Sequence, residues 1–341
     1  MLYGHGDDIF SSSKAIKANF STNVWWGTPY ELLWTHLAKQ LPLLASYPHP
    51  AAADLADVLA KHVGVDALQV VVTNGATEAF YLIARCFSGG KAAIAVPTFM
   101  EYEDACRLSD VEASFISRAD FFSGNLGDAD MVWLCNPNNP TGEVASAAAL
   151  LEIVGRFPHT TFVVDQAYAA FCAERPISGD EAIHFPNLIL VESLTKCYGI
   201  PGIRLGYLIA SKEQCAAIQQ QRMPWSVNAL AIEAGKFIIA NYARFDVPLI
   251  DLLALRDALM THLAKIDGLE VVPTAASFFL VKINRAGWNA ERLKEWLLQE
   301  HGILVRDASN FRGIADANHL RIATRSMEEN NLLITALKAL S

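Results

Sequence analysis

The chain has 341 residues, of which 52% are apolar and 18% charged. That supports a sizeable core and exceeds one small domain, so global disorder is excluded and two domains, or one large domain with a satellite, are expected. A net charge of −9, from 27 basic and 36 acidic residues, argues against nucleic-acid binding but leaves room for a local basic pocket around an anion. The first ten residues carry Asp7 and Asp8 and no apolar segment of the signal-peptide kind, and no apolar run approaches the roughly 18 residues of a membrane span. The six cysteines form no C-x-x-C pair, so a reducing, cytoplasmic setting is expected, and no metal site.

Residues 1–30 lack a helical or strand period and read as an arm that either frays or folds over a site. Leu33, Leu37, Leu41 and Leu44 mark an amphipathic helix over Tyr30–Leu44. Tyr47-Pro48-His49-Pro50 is a stiff turn before a helix at Asp54–His62. A short strand, Gln69–Thr73, leads into Asn74-Gly75-Ala76-Thr77-Glu78, which opens a helix to about Phe87. Small residues at a helix start expose unpaired N–H groups that can seat an anion. Strands at Ala92–Val96, Val111–Ile116 and Met131–Cys135 follow. The first runs into Pro97-Thr98-Phe99-Met100-Glu101-Tyr102, where an aromatic ring past a strand end can stack on a flat ligand. The third ends in Asn136-Pro137-Asn138-Asn139-Pro140-Thr141-Gly142, a rigid loop that projects an amide.

Thr161–Val164 is a buried strand ending at Asp165, a carboxylate that is costly there unless paired. The next strand, Asn187–Val191, ends in Glu192-Ser193-Leu194-Thr195-Lys196. A lysine at the end of a buried strand is a candidate nucleophile toward carbonyls if its pKa is lowered, and Arg204 and partial burial would both do this. The Ser193 and Thr195 hydroxyls with Arg204 could hold a phosphate. The remainder is a second α+β unit. It has helices over Asn228–Phe245, Leu249–Ile266, Asn289–Glu300 and Met327–Leu340. Its strands are Leu269–Val272, Phe278–Ile283, Ile303–Asp307 and His319–Ala323. Arg306 and Arg321 lie in otherwise apolar strands, where an anion is expected to meet them.

The S-x-T-K-x-x-G-x-x-G-x-R-x-G pattern at 193–206, with the elements at Asn74, Tyr102, Asn139, Asp165 and Arg321 in order, resembles the fold type I pyridoxal-phosphate enzymes of the class I/II aminotransferase group. The resemblance implies an α/β large domain with a mostly parallel central sheet and a smaller α+β domain. Its boundaries are an arm and helix at 1–40 joining the small domain, a cofactor-binding domain at 41–240 and a small domain at 241–341. It further implies that Lys196 tethers pyridoxal 5'-phosphate, that Asp165 faces the ring nitrogen and that Asn139 and Tyr168 bind the phenolic oxygen. Tyr102 stacks on the ring, and Gly75, Ala76, Thr77, Ser193, Thr195 and Arg204 hold the phosphate. Tyr47 reaches the phosphate of a second subunit, making a homodimer, and Arg321 clamps the substrate carboxylate.

Two subfamilies are most similar, the threonine-phosphate decarboxylases and the histidinol-phosphate aminotransferases. Gly4-His5-Gly6 with Asn19-Phe20-Ser21-Thr22-Asn23, and Gly302–Gly313, resemble the arm and the strand-and-loop of the decarboxylases. They place His5, Asn23 and Arg306 round a small phosphorylated substrate. Val24-Trp25-Trp26-Gly27 departs from the usual N-P-x-G, and two indoles there are expected to make the mouth of the site more apolar. A cofactor-binding regulator without catalysis is a third reading, for which the chain has no spare basic helix-turn-helix segment.

Overall fold

The computed structural model describes residues 7, 14–314, 316 and 318–340; Gly4-His5-Gly6 lies outside them. Its strands are β1 (Ala18–Asn19), β2 (Val70–Thr73), β3 (Lys91–Val96), β4 (Glu112–Ser117), β5 (Met131–Cys135), β6 (Thr161–Asp165) and β7 (Leu188–Ser193). They continue with β8 (Gly206–Ile209), β9 (Leu269–Val271), β10 (Phe278–Ile283), β11 (Ile303–Leu304), β12 (Arg306–Asp307) and β13 (His319–Ala323). The central sheet runs β2-β8-β7-β6-β5-β3-β4. Among its seven strands β8 alone runs opposite to the rest. β5 and β6 are buried along nearly their whole length, as strands covered on both faces must be. Because β2, β3, β5, β6 and β7 run the same way, their carboxyl ends open on one edge, where ligands of open α/β sheets bind.

A second, antiparallel sheet, β12-β13-β10-β9, lies in the carboxyl-terminal third of the chain. β1 pairs in parallel with β11, so the arm is sewn to that part of the molecule. Trp133, Phe80 and Phe278 belong to one core cluster; Phe279, Leu320 and Leu333 belong to another.

Several elements differ from the sequence expectation. The helix from Tyr30 (α1, Tyr30–Gln40) gives way to a 3₁₀ turn at Leu41–Ala45. Pro42 is at the start of that turn, where it cannot donate the N–H that a continuing α-helix needs. Of its apolar stripe only Leu33 is buried, while Leu41 and Leu44 are more than half exposed. The expected strand Ile303–Asp307 divides at Val305 between two sheets. The helix expected over Asn228–Phe245 breaks at Asn241. β8 has no counterpart among the expected strands, since its four residues behind a glycine-proline loop carry no clear period.

Candidate active site

The carboxyl ends of five parallel strands deliver the site. β2 ends at Thr73, and α2, the helix Gly75–Arg85, begins two residues later. Gly75 has φ of +74°, and a Cβ on it would lie 2.5 Å from Arg204 Nη2. A side chain there would therefore push the guanidinium off the helix start. On the other side of this turn the Ser193 and Thr195 hydroxyls, both buried, stand 2.6 Å apart. Hydroxyls, first-turn N–H groups and a guanidinium thus converge, the donor set of a phosphate cup. Gly206 allows the close packing of β8, because a Cβ there would meet the Ala76 nitrogen at 2.6 Å.

From this end the cavity runs past Lys196 to Asp165, and its wall includes Asn23, Asn139, Tyr168 and Arg321. The Lys196 amine is 5.9 Å from the Tyr168 ring centroid. Burial, the Arg321 and Arg204 charges lower its pKa to about 8, against the pull of Asp165 and Asp7. Asp165 moves the other way. Burial raises it to about 6, opposed by the Tyr102 hydroxyl, the Ala167 N–H and the Lys196 charge. Tyr102 donates to Asp165 Oδ2 at 2.5 Å and the Ala167 N–H to Oδ1 at 2.9 Å. At neutral pH the amine is therefore mostly protonated but within reach of its neutral form, and the carboxylate is mostly ionised. Arg321 is buried; it donates to Asn139 Oδ1 and to the Ser21 carbonyl, both at 2.5 Å. No carboxylate pairs with it among the described residues, and its Nε has no partner there. The arm closes one side, with the Trp25 N–H donating to the Lys196 carbonyl at 2.9 Å. Asn23 is buried on the wall close to Tyr168, yet neither amide atom completes a hydrogen bond among the described residues.

This donor set fits pyridoxal phosphate. It offers an anion cup at one end, a primary amine midway, a buried carboxylate at the other end and unpaired amide and guanidine donors beside them. Among the described residues no group of three His, Cys, Asp or Glu could hold a metal ion.

Three expected positions stand elsewhere. Tyr102 is not on the cavity wall. Its ring is stacked on Trp133, centroids 5.2 Å apart and 6° from parallel, and its hydroxyl serves Asp165 from behind. Phe99 is on the wall instead, because it precedes the helix Glu101–Leu108 whose first turn rotates Tyr102 into the core. Arg306 also lies off the wall. It is the direct cross-strand partner of Arg321, and its guanidinium donates to Asn310 Oδ1 at 2.7 Å and to the Asp307 carbonyl. Tyr47 faces solvent, 84% exposed. His5 is outside the described residues. The expected apolar mouth is also corrected, because Trp25 is buried in the core and Trp26 packs against the same cluster, so neither lines the cavity. Ser21, Thr22 and Phe80, which the sequence did not single out as site residues, do line it.

A family model described as aminotransferase class I and II matches residues 16–337. The threonine-phosphate decarboxylase of Salmonella typhimurium is 31% identical over 91% of this chain and 86% of its own. The histidinol-phosphate aminotransferase of Thermoanaerobacter pseudethanolicus is 33% identical over 86% of this chain and 84% of its own. The crystal structure of L-threonine-O-3-phosphate decarboxylase from Porphyromonas gingivalis superposes with a TM-score of 0.90 at 40% identity, covering 94% of this chain and 98% of that one.

Proposed function

Because the chain belongs to the aminotransferase class I and II family, we propose that it is a fold type I pyridoxal-phosphate enzyme that decarboxylates L-threonine O-3-phosphate. The observation that carries this reading is that Lys196, Asp165 and Arg321 line one cavity. The phosphate of the cofactor would sit among Ser193, Thr195, Arg204 and the Gly75-Ala76-Thr77 turn, with Phe99 against the ring. When bound, pyridoxal phosphate supplies a cationic heterocycle that takes up the electron pair of a broken bond at the substrate α-carbon. Asp165, held ionised by Tyr102 and Ala167, keeps the ring nitrogen protonated. Lys196 attaches the cofactor and afterwards moves protons at the α-carbon. Asn139 and Tyr168 orient the phenolic oxygen.

Arg321 and Arg306 are cross-strand partners on β13 and β12. A substrate with both a carboxylate and a phosphate matches this pair, one anionic group for each guanidinium. We assign the carboxylate to Arg321, the phosphate to Arg306, and supporting contacts to Asn23 and His5. The decarboxylase is preferred because its solved relative has the higher identity over more of the chain. The alternative, a histidinol-phosphate aminotransferase, is favoured by the 33% identical relative. Purified protein loaded with pyridoxal phosphate should release carbon dioxide from threonine phosphate. Activity only with histidinol phosphate and 2-oxoglutarate would select the alternative.

The assembly we propose is a homodimer in which Tyr47 reaches the partner's cofactor phosphate. In its support, Trp34, Leu41, Leu44, Tyr47 and Trp225 are all exposed in the single chain, and such apolar surface marks an interface. We keep the domain division at 1–40, 41–240 and 241–341, with β1 joining the arm to the last of these. All six cysteines are free, which supports a cytoplasmic setting, and no described helix is long and apolar enough to cross a membrane.

A further inference from the structure

Residues 222–226 clasp two parts of the molecule that are far apart in sequence. On one side they hold the start of α2. Asn74 Nδ2 donates to the Ser226 carbonyl at 2.8 Å, Ser226 Oγ donates to Glu78 Oε2 at 3.2 Å, and that same oxygen accepts the Asn74 N–H at 2.5 Å. On the other side they hold the turn that carries Tyr47. Arg222 Nη1 donates to the Ala51 carbonyl at 3.1 Å, and the Trp225 N–H donates to the Pro50 carbonyl at 2.9 Å. The Trp225 indole lies against the Tyr47 ring, with centroids 5.1 Å apart and planes at 40°.

Trp225 makes these contacts with φ of +60°, a left-handed conformation that a bulky L-residue adopts only at a cost. Tyr47 remains 84% and Trp225 47% exposed. Burial within the chain is thus too slight to account for the strained backbone. What the contact does accomplish is to aim Tyr47, whose turn Pro48 and Pro50 already stiffen.

We propose that Trp225 is a positioning residue for the partner subunit's cofactor site, fixing the direction in which Tyr47 leaves its own chain. This rests on the reading that Tyr47 reaches the partner's cofactor phosphate. The clasp ties that arm to the phosphate-binding helix of its own subunit, so one short segment sets both the donors a subunit keeps and the donor it lends.

The test is the affinity of the apoprotein for pyridoxal phosphate, titrated by the absorbance of the bound cofactor. Tyr47→Phe should weaken binding roughly tenfold or more, as expected for a lost hydrogen bond to a charged group. Trp225→Ala should weaken it to a similar degree and Trp225→Phe should recover most of the loss. The double variant Tyr47→Phe/Trp225→Ala should bind no more weakly than Tyr47→Phe, because the indole acts only through the hydroxyl. Wild-type affinity in Trp225→Ala alongside a weakened Tyr47→Phe overturns the positioning role and leaves the cross-subunit reading standing. Additive losses in the double variant do the same. An unaffected Tyr47→Phe overturns both. If Trp225→Ala proves misfolded by circular dichroism, Trp225→Gly carries the test: glycine relieves the strained φ while removing the ring. That variant should be as stable as wild type and still bind the cofactor weakly; tight binding by it overturns the proposal.

Discussion

Replacing Tyr102 with phenylalanine removes one donor from Asp165 and little else. The ring keeps its place against Trp133 and Phe80, so the loss is that of the 2.5 Å hydrogen bond. A hydrogen bond to an ionised partner contributes about 1.5–3 kcal/mol, and one between neutral groups about 0.5–1.5. Asp165, raised to about 6 by burial, is neutral near pH 4 and ionised near pH 8. The variant should therefore be destabilised more at the higher pH, by an extra 1–1.5 kcal/mol or so, which lifts the Asp165 midpoint by about one pH unit. Urea unfolding of the cofactor-free protein at several pH values measures this directly. The expected signature is a wild-type-minus-variant stability difference that grows from about pH 5 to pH 8. A difference that is flat with pH would mean that Tyr102 contributes packing alone and does not hold the carboxylate ionised.

Lys196→Ala should abolish the cofactor absorbance band that borohydride fixes to the chain, and peptide mapping after reduction should find no labelled lysine; a surviving label elsewhere would reassign the tether. Gly75→Ala should weaken pyridoxal phosphate binding about tenfold or more, because its Cβ displaces the Arg204 guanidinium from a positive-φ turn and removes a charge-assisted contact; unchanged affinity would place the phosphate elsewhere. Arg321→Ala should reduce kcat/KM for the amino-acid substrate by about a hundredfold, since the buried guanidinium proposed to hold the substrate carboxylate is lost, while cofactor absorbance persists; an effect confined to cofactor loading would contradict the clamp.

Much of the framework was legible because buried strands announce themselves. Met131–Cys135, Phe278–Ile283 and His319–Ala323 appear as apolar runs in the sequence and occupy those spans in the fold. The strand-end residues were equally readable, since a polar group past an apolar run can only stand at the open edge. Rotation about the chain was less accessible. Phe99 and Tyr102 are three residues apart, and only the start of the helix at Glu101 decides which ring faces the cavity. The two indoles posed the same difficulty: Trp25 and Trp26 were expected at the mouth of the site, yet Trp25 is buried in the core and Trp26 packs against it. Neighbouring strands are also invisible to a single segment, so the opposition of Arg306 and Arg321 had to come from the sheet register.

Lys196 and Asp165 are perturbed in opposite directions by the same cause, burial, and this links cofactor loading to stability. Lys196 is lowered from 10.5 to about 8, so its contribution to stability is present above its unfolded pKa and lost as pH falls through about 8. Asp165 is raised from 3.8 to about 6, so its contribution is present below its unfolded pKa and lost as pH rises through about 6. Between about pH 6 and pH 8 the cofactor-free protein bears both costs, the lysine term being about 3 kcal/mol. A phosphate against Arg204 and a ring N–H against Asp165 supply the counter-charges that the empty arrangement lacks, so the rise in Tm on adding pyridoxal phosphate should be largest in that window. Lys196→Met isolates the lysine term: relative to this variant, the wild-type apoprotein should lose stability as pH falls from about 10 to 7. Parallel pH–stability curves for the two proteins would mean that the amine is not depressed by its surroundings, and the nucleophile would have to be sought elsewhere.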